Sequence, residues 1–185
     1  MSGIRRIISG ELAQINIVFD EKRALEHYYK WISAKTACLF STSTESGAIL
    51  SDAPEEVIQA LKNYGYYFGM AFQVIDDVLD FTGTQSELGK PIGSDLIEGA
   101  VTLPLVIFAG SEAGRRLLSN VIENKKIDTV PAIIEKIKKS SVIERCVIFA
   151  QDFSVKACKA IEILPDNDAR QSLIELAKFV VKRRK

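Results

Sequence analysis

Gln73, Asp76, Asp77 and Asp80 are the residues of this sequence whose types and spacing could do chemistry. They sit in the stretch from Tyr64 to Phe81, YGYYFGMAFQVIDDVLDF. On a helix turning 100° per residue, Gly65, Gly69, Gln73, Asp76 and Asp80 fall within roughly an 80° arc, with Asp77 at its edge. The rest of the circumference is apolar, which places such a helix inside a larger all-α body. Three carboxylates are costly there unless something neutralises them. Asp76 and Asp80 are i, i+4 neighbours, with Cβ atoms roughly 6 Å apart. Their mutual repulsion and their burial both oppose ionisation. A hard divalent cation removes both penalties, because carboxylate oxygens are the ligands Mg²⁺ prefers, together with water and substrate phosphate. An acidic i, i+4 pair is most often a solvated face. Here the apolar surroundings, the two glycines on the same stripe and Gln73 one turn earlier favour a site: one wall of a cavity for cations.

Two lysines become candidates beside such a wall. Lys90 lies in Gly89-Lys90-Pro91-Ile92-Gly93, where a lysine among flexible residues could close a phosphate site by point charge. Lys35 and Thr36 lie mid-helix among apolar residues. By themselves they would read as a snorkelling lysine and a core threonine; near a metal–diphosphate site both become phosphate-facing. His27 is the only histidine. It reads as surface or structural; one histidine by itself is no argument for a Ser-His-Asp or Cys-His arrangement, and zinc would want more histidines or clustered cysteines.

The elements that must position these residues read as helices almost throughout, with no sustained period-2 alternation. The pattern predicts helices over 4–18, from an Asp20 cap through Phe40, and over a short piece from Ser46 to Leu50. The small polar run Ser41-Thr42-Ser43-Thr44 separates the last two. Ser51-Asp52-Ala53-Pro54-Glu55-Glu56 is a strong start for the central helix. A long loop, Thr82 to Asp95, follows it and is expected to be functional. Further helices are expected over 102–109, 110–124, 128–139, 142–164 and 169–181. In the long one, Val147, Ala150, Val155, Cys158 and Ile161 are core candidates. No repeat, low-complexity segment or domain boundary interrupts the chain, so residues 1–185 are expected to form one domain.

Composition narrows the function further. The chain is 47% hydrophobic and 26% charged, with 24 basic and 24 acidic residues, so net charge gives no case for nucleic acid or an anionic membrane. The longest apolar run, 100–109, is too short to span a bilayer. Three cysteines (Cys38, Cys146, Cys158) without CxxC spacing suggest reduced thiols in a cytoplasmic setting.

Phe72-Gln73-Val74-Ile75-Asp76-Asp77-Val78-Leu79-Asp80 resembles the second aspartate-rich motif, FQxxDDxxD, of the trans-isoprenyl diphosphate synthases. The agreement continues on both sides and in order. Gly10-Glu11 with Gln14 is similar to that family's GExxQ helix, and Lys35-Thr36-Ala37 with Leu39-Phe40 to its KTAxLF segment. Gly89-Lys90 through Gly93 and Asp95 resembles its GKxxGxD loop. Thr102-Leu103-Pro104 resembles its TLP, and Val180 to Arg184 its C-termini. The resemblance implies an all-α helical bundle of the isoprenoid synthase type, commonly homodimeric. It implies Mg²⁺-dependent condensation of isopentenyl diphosphate with an allylic diphosphate. Asp76 would be the main ligand of one Mg²⁺, with Asp77 and Asp80 assisting directly or through water. Lys35 and Lys90 would bind the allylic diphosphate. Thr36 and Gln73 would orient the departing group and the isoprenoid.

Two departures qualify this. No first aspartate-rich motif, DDxxD, is present, nor the upstream basic residues that bind isopentenyl diphosphate, so the resemblance covers the C-terminal part of a synthase. Ala100 stands where members commonly carry lysine. The expectation is therefore an N-terminally truncated bundle with little condensing activity by itself. It would act as part of a homodimer, or in a complex with a chain that supplies the missing motif. The alternative is a noncatalytic or split-enzyme subunit that modulates or completes a partner prenyltransferase.

Overall fold

A computed structural model describes residues 21–83, 92–98, 100–124 and 127–183. The helix expected over 4–18 and the lysine at 90 lie outside the described residues. Among those described, all regular structure is helical: α1 (Glu21–Ile32), α2 (Cys38–Leu50), α3 (Glu55–Thr82), α4 (Ser94–Glu98), α5 (Leu103–Ala109), α6 (Glu112–Asn124), α7 (Val130–Lys138), α8 (Val142–Ala160) and α9 (Asp168–Lys182).

α1 does not end before α2. A single π turn, Ser33–Ala37, joins them into one rod, with the Cys38 N–H reaching back to the Ser33 carbonyl. The break expected at Ser41–Thr44 is absent. Its hydroxyls bond backbone carbonyls instead: Ser41 Oγ to Lys62 O at 3.0 Å and Thr44 Oγ1 to Leu61 O at 2.6 Å. A polar run that satisfies itself against a neighbouring helix has no reason to end its own. The rod stops where Asp52 adopts a positive φ of 52° and the Ala53 N–H caps the Ala48 carbonyl, the six-to-one closure of a helix C-terminus.

α3, 28 residues and so about 42 Å long, is the spine. α2 packs along one side of it and α8 along another. The two glycines of the aspartate stripe admit α2 rather than opening a cavity, which corrects the sequence expectation. A Cβ on Gly69 would stand 2.6 Å from Ala37 Cα, and one on Gly65 would stand 2.4 Å from the Phe40 carbonyl oxygen.

α3 threads two apolar clusters. In one, Met70, Val74, Val78 and Phe81 meet Tyr28, Trp31, Ile32, Leu103, Ile133, Cys146 and Ala150. In the other, Tyr64, Phe68 and Ala71 meet Ala157, Ile161, Ala177 and Val180. Two hydrogen bonds pin α9 to this second cluster: Tyr64 OH donates to Leu173 O at 2.8 Å and Ser154 Oγ to Ala177 O at 2.6 Å. Val155, expected in the core, is instead 53% exposed, while Ser154 and Ala157 take the inward positions. No helix among the described residues is long and apolar enough to cross a membrane.

Candidate active site

The last turns of α3 carry the candidate carboxylates, and the three do not share one fate. Asp77 and Asp80 are 1% and 2% exposed, whereas the Asp76 side chain is 58% exposed. The expectation of three buried carboxylates therefore holds for two. The reason is angular: Asp76 and Asp77 stand 100° apart on the helix, so packing that covers one leaves the other at the edge.

Asp77 is surrounded by donors from three parts of the chain. Its Oδ2 accepts from Tyr28 OH at 2.7 Å and from the Leu103 N–H at 3.4 Å, and its Oδ1 accepts from Gln73 Nε2 at 3.0 Å. Burial pushes its pKa up from 3.8 to about 7, against the pull of the Gln73 and Tyr28 hydrogen bonds and with a further push from Asp95. The same burial, with the neighbouring Asp77 charge, raises Tyr28 well above the usual tyrosine range. It also carries the Cys146 thiol up to about 12, so Cys146 stays a protonated core thiol.

The Gln73 amide continues the chain of hydrogen bonds. Its Oε1 accepts from Thr36 Oγ1 at 2.5 Å. Thr36 sits in the π turn, where an extra residue per turn re-aims side chains and often marks a functional position. Beside it, the Lys35 ammonium lies 4.8 Å from the centre of the Trp31 ring. A cleft of about 600 Å³ opens next to this turn, lined in part by Ser33, Ala34, Cys38 and Tyr66; none of the three aspartates lines it.

Asp80 and Asp76 leave this chain on separate sides. Asp80 accepts from Ser94 Oγ at 3.1 Å and from the Asp95 N–H at 3.4 Å, and its own carbonyl accepts from the Gly93 N–H at 3.0 Å. Asp76 faces the C-terminal end of α9. Arg183 donates to Asp76 Oδ1 at 3.2 Å and to the Phe72 carbonyl at 3.3 Å, with its guanidinium 4.0 Å over the Phe72 ring. No group of three or more His, Cys, Asp or Glu side chains converges among the described residues.

The structure thus joins Thr36, Gln73 and Asp77 directly, and it adds residues the spacing did not single out: Tyr28, Ser94 and Arg183. Tyr28 registers in the sequence only as an apolar helix position. Its signal was available, since it lies seven residues before Lys35 and eight before Thr36, on the same helix face.

The model of one family, Polyprenyl synthetase, matches residues 2–137 of this chain. The chain belongs to the polyprenyl synthetase family. Heptaprenyl diphosphate synthase component 2 of Bacillus subtilis is 39% identical over 181 residues, covering 98% of this chain and 52% of that protein. Octaprenyl diphosphate synthase of Haemophilus influenzae is 37% identical over 183 residues, covering 96% and 55%. The fold agrees with solved polyprenyl synthetases. Heptaprenyl diphosphate synthase of Staphylococcus aureus superposes with a TM-score of 0.91 at 34% identity, covering all of this chain and 58% of that one. A polyprenyl synthase of Caulobacter crescentus, solved with calcium and isoprenyl diphosphate, gives 0.91 at 33% identity, covering all of this chain and 57% of that one. The chain spans about half the length of the curated relatives it matches.

Proposed function

We propose that this chain carries the part of a prenyltransferase site that holds and releases an allylic diphosphate, for condensation with isopentenyl diphosphate. The observation that carries the proposal is the bond from Thr36 to Gln73 and on to Asp77. It ties the KT segment to the aspartate helix across two elements distant in sequence. Family membership supplies the reaction class, and the calcium and isoprenyl diphosphate of the Caulobacter relative support a divalent ion beside a diphosphate.

The donor set suits Mg²⁺ in a restricted way. This ion needs only one or two protein carboxylates when phosphate oxygens and waters complete its shell. Asp76 is the outward carboxylate and would be the direct ligand. Asp80 would assist from its bonds to Ser94 and the Asp95 N–H, and Asp77 would serve from behind, its lone pairs already engaged. Bound Mg²⁺ would neutralise charge gathering on the departing diphosphate. The chain's own residues do the rest. Lys35 and Lys90 would pair with diphosphate oxygens, while Thr36 and Gln73 would face the isoprenoid from a fixed direction. Apolar walls would keep water from the allylic carbocation that loss of the diphosphate leaves. At Asp76 Oδ1 the Mg²⁺ ion would compete with the Arg183 guanidinium.

The test is calorimetric titration of the chain with geranyl diphosphate, with and without Mg²⁺. Binding should require Mg²⁺, and Asp76→Ala should weaken it about a hundredfold, as losing a charge-assisted ligand does. Binding that ignores Mg²⁺, or that survives Asp76→Ala, overturns the reading.

The names of two relatives favour a multichain enzyme: heptaprenyl diphosphate synthase component 2 of Bacillus subtilis and its counterpart in Geobacillus stearothermophilus. On this reading the chain works with a second, different polypeptide. Labelled isopentenyl diphosphate should then be incorporated at background level by the chain alone, and at a substantial rate with a chain that supplies the first aspartate-rich motif. If Asp76→Ala leaves the partner's rate unchanged, the chain is a noncatalytic subunit instead.

A further inference from the structure

Tyr28 has a ring that packing explains and a hydroxyl that packing does not. The ring, 3% exposed, sits in the larger cluster against Trp31 and Tyr29, with centroids 6.0 and 5.8 Å away. A phenylalanine would fill that space equally well. The hydroxyl instead points to the buried Asp77 carboxylate, 49 residues further along the chain, and supplies its shortest hydrogen bond. We propose that Tyr28 is a positioning residue, acting through Asp77 to set the direction of the Gln73 amide and the Thr36 hydroxyl.

The direction follows from the inventory of donors and acceptors. In its ionised form Asp77 only accepts, and Tyr28 and the Leu103 N–H together hold Oδ2. Oδ1 is thereby aimed along α3 at Gln73, one turn earlier. Gln73 must turn its NH₂ toward Asp77, so its carbonyl oxygen faces Thr36. The Thr36 hydroxyl must then donate its one proton inward. What remains on its outer side is lone pairs. Thr36 can therefore accept from, or lie against, an electron-poor group, but it has no proton left for a diphosphate oxygen. A phenolic oxygen with no access to the site thus selects which face of the substrate Thr36 meets. This rests on Thr36 and Gln73 facing the substrate, as proposed above.

The test has two readouts. Nuclear magnetic resonance of the Gln73 side-chain amide reports the chain of bonds without any ligand. In Tyr28→Phe, solvent exchange of its protons should accelerate about tenfold, the equivalent of roughly one hydrogen bond, with the shift moving toward that of free glutamine. Calorimetry with geranyl diphosphate and Mg²⁺ then forms a double-mutant cycle with Thr36→Val. Each single change should weaken binding by about fivefold to tenfold, and the pair no more than one alone, because both cut the same chain. Asp77→Asn, which keeps a partner for Tyr28 and buries no charge, guards against a folding failure: its NH₂ should flip the Gln73 amide and move the same resonances. An unchanged Gln73 signal in both Tyr28→Phe and Asp77→Asn overturns the proposal, as does strict additivity of Tyr28→Phe with Thr36→Val. A shifted signal with unaltered geranyl diphosphate affinity upholds Tyr28's control of the amide and overturns the assignment of the chain to the substrate site.

Discussion

Asp77 links a single proton to the stability of the whole molecule. Its pKa is about 7 in the fold and 3.8 in the unfolded chain. Between these values the unfolded chain has released a proton that the folded one keeps. Stability from this position is therefore greatest below about pH 4, falls as pH rises toward 7, and is flat above it. A three-unit shift corresponds to at most about 4 kcal/mol. Urea unfolding without divalent ions should show the wild type losing stability relative to Asp77→Asn between pH 4 and 7; parallel curves would refute the shift. The DDxxD spacing was legible as a ligand pattern, but which of two adjacent aspartates turns inward was not. That choice is made by Tyr28 and Leu103, whose proximity to Asp77 exists only after α1 and α5 have packed. Arg183 was equally unreadable, because its partner lies 107 residues away.

Helices were the easiest features to anticipate, since the 3.6-residue pattern survives along α3, α7 and α9 without tertiary help. The misreadings arose where one signal has two physical meanings. A glycine on a polar stripe leaves space, and a neighbouring backbone fills that space as readily as a ligand does. Gly69→Ala should accordingly cost about 2–3 kcal/mol, because its Cβ would meet backbone at Ala37 that cannot move aside. Gly47→Ala, on the open side of α2 with nothing within 4 Å, should stabilise by about 0.5–1 kcal/mol through helix propensity alone. Thermal or urea midpoints of the two variants should move in opposite directions. Equal effects would mean that α2 and α3 are not in close contact.

At the scale of the molecule, α3 makes one body of two clusters. Phe153 and Val181 pack against both, and α3 contributes side chains to each. Neither cluster can lose its share of α3 without freeing the other's. Helical circular dichroism and the near-ultraviolet aromatic signal should therefore fall together in a single transition. Phe81→Ala in the first cluster and Phe68→Ala in the second should each shift that same transition, by about 3–5 kcal/mol. Separate melting of the two signals would divide the structure at α3.

Arg183 against Asp76 brings the stretch that follows α9 to the mouth of the proposed diphosphate site. A segment joined directly after Arg183 begins at that contact. A polyhistidine purification handle there would set imidazoles beside Asp76, in competition for the proposed divalent ion, so ion affinities measured on such a protein would describe the handle as much as the site. An N-terminal handle, or its removal before titration, avoids that interference.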